Sequence, residues 1–311
     1  MSLDLNTIKT TNLTKPFLKW VGGKTQLIET LFQKFPKEIN NYHEPFLGGG
    51  SVLLAMLSLQ KYNHIKINGS LYAYDFNESL INVYNQIKMN KDELLSYINK
   101  YYDEYKSING DVEIKNPTTE EQAKTSQGSY YYWIRKQYNS MEKTTAESAA
   151  LFIIINKLCF RGMYREGPNG YNVPFGHYKT PPKMPSKTQL YELSSLFQNV
   201  EFKVCSFEEA LTNTDSIVDG DFVYLDPPYA PESDKSFVGY TKDGFNLEKH
   251  KTLFTLINQL KSQNKKFVLS NSNVDMVTSA FQDCNKHVVN ARRAINSKNP
   301  AAKTEEVIIY N

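Results

Sequence analysis

The residues with the most specific chemical content are Asp226-Pro227-Pro228-Tyr229, which close the apolar run Phe222-Val223-Tyr224-Leu225. Prolines lack an N–H and have a fixed φ, so this turn cannot extend a ladder and it holds its neighbours rigid. α/β sheets bind ligands at the C-terminal edge of their parallel strands, which is where such a turn would stand. There Asp226 offers carboxylate oxygens, the Pro227 carbonyl a second acceptor, and Tyr229 a flat face. Together they fit an aromatic ring carrying an exocyclic –NH2: two acceptors take its two hydrogens while the ring stacks on the phenol. The lone pair of such an amine is drawn into its ring. Two acceptors in fixed geometry favour a tetrahedral nitrogen with its lone pair free, and they stabilise the positive charge that develops on attack. The chemistry implied is group transfer to an aryl amine. The plainer alternative, a Pro-Pro strand stop, leaves the carboxylate and the phenol without a task.

Three upstream stretches could serve a co-substrate. Glu44-Pro45-Phe46-Leu47-Gly48-Gly49-Gly50-Ser51 reads as strand, glycine turn and helix start. The N–H groups of such a turn can face an anion, or the turn can be merely tight. The third glycine of G-x-G-x-x-G is missing, which argues against a nicotinamide enzyme. Asp75 ends the next apolar run, 25 residues past Gly50. That spacing suits a carboxylate that accepts ribose hydroxyls, and equally a helix N-cap. Trp20-Val21-Gly22-Gly23-Lys24-Thr25 looks like the end of a nucleotide phosphate loop, but Leu18 stands where that loop needs glycine. A nucleoside triphosphatase is therefore excluded. Lys24 suits a small anion such as a carboxylate, and Trp20 could cover a base.

The elements that must position these residues follow a βαβ rhythm, which implies a parallel sheet flanked by helices. An amphipathic helix carries Leu27, Ile28, Leu31 and Phe35; a strand and helix surround the glycines; another strand ends at Asp75 with a helix after it. From residue 186 the rhythm resumes, with a helix through Leu190, Leu193 and Leu196. Strands are expected at "VEFKVC", "DFVYL", "KFVLSNS" and "EEVIIYN", with helices at "SFEEALTN" and "LEKHKTLFTLINQLKSQ". Asp75 and Asp226 are 151 residues apart, whereas a βαβ unit needs about 30. The excess is an inserted domain. Its helical patterns are "KDELLSYINKYYDEYK", "YYYWIRKQYNSM" and "AESAALFIIINKLCF". The stretch "RGMYREGPNGYNVPFGHYKTPPKMP" reads as a β-hairpin or exposed loop.

Composition narrows the class. The chain has 311 residues, 40% hydrophobic and 22% charged, which is ordinary for a globular protein of about two domain-sized units. A net charge of +3 permits a polyanionic partner without demanding one. Three cysteines, Cys159, Cys205 and Cys284, have neither metal nor disulfide-framework spacing, so no metal is expected and a reducing compartment is. The longest apolar run, Ala149 to Ile155, is far short of the roughly 20 residues of a membrane span. No signal peptide pattern opens the chain. A cytoplasmic, DNA-associated protein with no membrane partner is expected, with residues 1–14 loose.

Five stretches in order, "FLKWVGGK", "EPFLGGGSVLL", "YDFNESLINVYNQI", "NVPFGHYK" and "YLDPPYAP", resemble the Dam-like (D12 class, alpha group) DNA adenine-N6 methyltransferases. The similarity runs from about Pro16 to Tyr310 and is weak in residues 1–14 and 100–130. It implies an α/β, Rossmann-like, S-adenosylmethionine-dependent methyltransferase sheet with an inserted, mostly helical target recognition domain carrying a β-hairpin. The catalytic domain would be 15–81 with 186–311, and the insert 82–185.

The resemblance also implies roles. S-adenosyl-L-methionine would meet Trp20, Lys24, Asp75 (ribose), Glu44 through Gly50 with Phe46 and Gly48 (methionine end), Ser206 and Phe207 (adenine side), and Asp226. Asp226, Pro227 and Tyr229 would hold the target adenine of double-stranded DNA. Lys19 and Arg165 match base-reading positions, with Arg165 on a guanine; Pro174 matches one beside a thymine methyl. Arg161 and Lys179 lie on the same ribbon, and Lys179 reads as a phosphate contact. GATC is the first site implied and CATG the next, although Arg161 and Gly167 stand where GATC-methylating relatives commonly have Asn. A cognate restriction endonuclease would be a partner in function and not in complex. Other readings are transfer to an exocyclic amine in RNA or to cytosine in DNA, and, in a different class, a silent DNA-binding module. The intact Asp226-Pro227-Pro228-Tyr229 turn argues against the last.

Overall fold

A computed structural model of the protein describes residues 13–212, 217–231, 245–292 and 303–311. Residues 1–12, most of the segment expected to be loose, lie outside them. The chain forms two compact units: Met1–Lys15, Lys24–Phe76 and Lys203–Asn311 make the first, Pro16–Gly23 and Asn77–Phe202 the second.

In the first unit β1 (Glu38–Ile39) pairs in parallel with β3 (Lys66–Ile67) as a small ribbon. The main sheet comprises β2 (Tyr42–Glu44), β4 (Leu71–Asp75), β7 (Val200–Val204), β8 (Phe222–Leu225), β9 (Lys266–Ser272), β10 (Asn285–Arg292) and β11 (Lys303–Tyr310). Its order is β10-β11-β9-β8-β2-β4-β7, with Lys203 and Val204 of β7 belonging to this unit. The pairs β4–β2, β2–β8 and β8–β9 are parallel, while β11 runs antiparallel to both β9 and β10.

β8 shows why this sheet forms. All four residues are buried, because both faces are covered. Val223 and Leu225 join Leu211 of α9 (Phe207–Thr212) and Leu253, Ile257 and Leu260 of α10 (Leu247–Ser262) in one apolar cluster. The alternate residues face elsewhere: Phe222 and Tyr224 meet Phe35, which packs at a tilt against Phe32 of α1 (Ile28–Phe32). Each fully buried Leu, Val or Phe here contributes about 1.5–3 kcal/mol. α2 (Ser51–Lys61) follows the glycine turn, and α11 (Asp275–Ala280) follows β9. Four elements of this unit were not foreseen: β1, β3, α11 and β10. β10 is an edge strand whose Lys286, His287 and Val288 are all exposed, so it carries no apolar alternation to read.

The second unit is mostly helical: α3 (Glu78–Met89), α4 (Lys91–Ser107), α5 (Glu120–Ala123), α6 (Gln127–Ser140), α7 (Ala146–Leu158) and α8 (Lys187–Leu196). α7 is buried on all sides, as an all-round apolar helix must be. Side-chain oxygens of Asn77, Thr119, Ser126, Thr145 and Ser186 accept first-turn N–H groups and set where the helices begin. The expected hairpin is present: β5 (Glu166–Gly167) pairs antiparallel with β6 (Gly170–Tyr171) across Pro168-Asn169. Gly170 has φ +85° there, a conformation an L side chain resists. Among the described residues no helix is long and apolar enough to cross a membrane.

Candidate active site

β8 is bracketed by two carboxylates with opposite circumstances. Asp221, before it, accepts from Asn40 Nδ2, the Asn41 backbone and side-chain nitrogens and the Val218 N–H, at 2.8–3.0 Å. It is a structural clamp with its lone pairs in use. Asp226, after it, is bonded to Lys24: Nζ lies 2.7 Å from Oδ2. Its Oδ1 is buried and has no hydrogen-bond partner. A buried acceptor left open costs about 1–3 kcal/mol, so its persistence at a strand's C-terminal end points to a ligand donor.

The groups around Asp226 are all in the first unit. Lys24 Nζ also sits 4.8 Å from the centroid of the Tyr229 ring. The Tyr229 hydroxyl donates to Glu306 Oε2 at 2.7 Å, and the Ala230 N–H donates to Asn271 Oδ1 at 2.9 Å. Asn271 and Glu306 therefore brace the turn from β9 and β11. Burial raises the Asp226 carboxyl to about 6; Lys24 opposes the rise and the Glu306 charge adds to it. Burial likewise lifts Glu44 to about 8, partly offset by the Tyr42 hydroxyl at 2.7 Å from Oε2. The charges of Asp226 and Asp75 push Glu44 the same way as burial.

The glycine turn has the geometry its composition implies. Gly48 and Gly50 have φ +49° and +67°, which glycine adopts without a Cβ clash. Gly50 precedes α2 and no side chain caps it, so first-turn N–H groups of an eleven-residue helix face outward from the turn. The Ser51 hydroxyl accepts the Lys24 N–H at 2.9 Å, which fixes the lysine's backbone beside this turn. Asp75 Oδ2 accepts the Gly48 N–H at 2.9 Å. Asp75 does not cap the helix that follows; Asn77 does. Phe46 is stacked on Phe207, centroids 5.5 Å apart. Ser206 and Glu209 cap α9 reciprocally, Ser206 Oγ accepting the Glu209 N–H and Glu209 Oε2 the Ser206 N–H.

Sequence reasoning missed three residues of this neighbourhood. Phe76, directly after Asp75, is 74% exposed, the most exposed large apolar side chain among the described residues. An aromatic beside a strand-ending carboxylate was the available signal. Glu306 showed itself only as an acid entering the buried run Val307-Ile308-Ile309, and Asn271 as an amide in a buried strand. Among the described residues no group of three or more His, Cys, Asp or Glu is arranged to hold a metal ion.

The expected DNA-reading residues and Trp20 lie in the second unit. Trp20 packs on Tyr164 and Phe152, centroids 5.3 and 6.3 Å away. Lys19 is tightly placed: Asn156 binds both its backbone N–H and its carbonyl, at 2.9 and 2.8 Å. Its ammonium donates to the Lys157 carbonyl and the Tyr178 hydroxyl. Gly162, φ +65°, is needed here because a Cβ would lie 2.3 Å from the Lys19 Cβ. Arg165 is exposed on the hairpin, with Nε and Nη2 held by Asn172 at 2.6 and 3.2 Å. Arg161 has φ +57° and its guanidinium lies over the exposed Phe160 ring. Pro174 and Lys179 are exposed.

The family described as D12 class N6 adenine-specific DNA methyltransferase matches residues 20–295. A type II methyltransferase, M.MjaIII, of Methanocaldococcus jannaschii is 36% identical over 96% of this chain and 99% of its own length. The type II methyltransferase M1.LlaDCHI of Lactococcus lactis subsp. cremoris is 33% identical over 96% of this chain and 95% of its own. The DNA adenine methylase of Escherichia coli (strain K12) is 29% identical over 95% and 94%.

Proposed function

Because this chain belongs to the D12 class N6 adenine-specific DNA methyltransferases, we propose that its first unit methylates an adenine turned out of a duplex site which its second unit selects. The enzyme is an adenine-specific DNA methyltransferase, and its mixed sheet of mostly parallel strands is consistent with a methyltransferase fold. Enzymes of this family generally use S-adenosylmethionine, which supplies a sulfonium-activated methyl group. The residues present fit that donor: a glycine turn leading into a helix without a side-chain cap, the Asp75 carboxylate and the Phe46–Phe207 pair stand in one unit. Phe76 adds an open aromatic face next to Asp75.

The observation that carries the reading is the buried, unpartnered Oδ1 of Asp226 beside the braced Tyr229 ring. Asp226 and the Pro227 carbonyl would take the two amine hydrogens, and Tyr229 the face of the base. Lys24 would move off the Tyr229 face as the base arrives, since its ammonium lies over that ring while it is bonded to Oδ2. Positioning is the main contribution, worth about 7–11 kcal/mol in favourable cases. Turning the base out costs a few kcal/mol. The second unit would offset this as the target recognition domain, with Arg165 reading a guanine bidentately and Lys19 a second base. GATC is the proposed site, CATG the alternative. Sequencing plasmid DNA, with modified-base detection, from cells expressing the protein tests this. N6-methyladenine in one short motif is expected; unmodified adenine throughout would overturn it.

A further inference from the structure

We infer that Glu306 is a positioning residue for methyl transfer, acting through the Tyr229 ring. This rests on the reading of Tyr229 as the platform for the target base. Glu306 lies beyond the segment matched by the family, residues 20–295. It is 9% exposed, in a strand whose next three residues, Val307, Ile308 and Ile309, are wholly buried. An apolar residue would suit that position better, since a buried carboxylate is costly unless it is paired. Its partner is the Tyr229 hydroxyl, 2.7 Å from Oε2, a hydrogen bond to a charged acceptor.

Two consequences follow from that bond. The ring is pinned at its far end by Glu306, while Asn271 Oδ1 holds the Ala230 N–H at its near end. A phenol donating to a carboxylate also gains electron density in its ring, and the face of such a ring attracts positive charge. The Lys24 ammonium already lies over this ring, 4.8 Å from its centroid. When the target amine attacks the methyl carbon, the new C–N bond forms as the C–S bond breaks, the C–S electron pair stays on sulfur as a neutral thioether, and positive charge develops on the nitrogen. The amine proton then passes to water. The anion-backed ring favours that charged state over the neutral base, so Glu306 speeds transfer more than it tightens binding.

The test uses the full chain with radiolabelled S-adenosylmethionine and a duplex carrying the site. Glu306→Gln keeps an acceptor but removes the charge; Tyr229→Phe removes the hydroxyl but keeps the ring. Each is expected to slow single-turnover transfer about tenfold, with donor and duplex Kd within about twofold of wild type. The double variant should be no slower than the slower single, since each removes the same charge-assisted hydrogen bond, one by its charge and the other by its donor. Glu306→Gln should also move the acid limb of kcat/KM to lower pH, because it removes one negative neighbour of Asp226. The others facing that carboxyl among the described residues, Lys24, Glu44, Tyr224 and Tyr229, are unchanged in this variant. Wild-type rates, multiplicative losses or an unmoved acid limb would each overturn the inference. If Glu306→Gln fails to fold, an unchanged rate in Tyr229→Phe overturns it alone. Wild-type protein that labels no duplex sinks the functional reading instead, so the two failures are distinct.

Discussion

Removing the amine of Lys24 should retune Asp226, the carboxylate proposed to receive the target amine. Lys24 Nζ is 2.7 Å from Asp226 Oδ2, and the Asp226 carboxyl already stands at about 6 because burial outweighs that attraction. At this separation and an effective dielectric of about 20, the gross Coulomb term is about 6 kcal/mol, most of which desolvation of the two groups cancels. Opposite charges at such range shift a carboxyl by about 1–3 units, so Lys24→Met should carry Asp226 to about 7–9. For a two-unit shift the ionised fraction at pH 7 falls about tenfold. The quantity to measure is kcat/KM for duplex against pH, which reports groups of the free enzyme. Activity should drop at pH 7, recover towards pH 9, and show its acid limb displaced upward. A loss equal at every pH, or a limb still near the wild-type position, would refute the pairing as the control on Asp226.

Other variants probe separate parts of the structure. Glu44 has a folded-state carboxyl raised from 4.5 to about 8 by burial, so the stability it contributes is fully present below about 4.5, is lost progressively as pH rises from there, and is gone above about 8. Urea unfolding of wild type and Glu44→Gln at pH 5 and pH 9 should show wild type losing several kcal/mol relative to the variant, up to about 5; parallel pH curves would contradict it. Asn156→Ala frees the Lys19 backbone N–H and carbonyl and should cost about 2–4 kcal/mol of stability, while narrowing the rate difference between cognate and scrambled duplex. Arg165→Ala should abolish most of that difference, whereas Lys179→Ala should weaken both duplexes alike and reduce the salt slope by about one. Equal losses on both duplexes for Arg165→Ala would make it a phosphate contact.

Much of the first unit was legible because its signals are local. The glycine turn, the strand ending at Asp75 and the Pro-Pro turn after β8 each announce themselves in consecutive residues, and the structure sets Gly48 on Asp75 and Lys24 on Asp226. What escaped notice depends on distant partners. Glu306 meets Tyr229 across 77 residues and Asn271 meets Ala230 across 41, and no periodicity records such pairings. Asn156, in an apolar helix, reads as an interruption until the Lys19 backbone is seen to fill its amide. The grouping of α3 and α8 with α4–α7 in one unit was equally hidden, because each looks like an ordinary crossover helix of the sheet.

The most direct test is single-turnover methyl transfer by Asp226→Ala, alongside its donor Kd. Loss of a thousandfold or more in rate, with the donor still bound within about tenfold of wild type, is the expected result for a group that holds the amine. A rate within about tenfold of wild type would remove Asp226, and with it the proposed chemistry, from this site.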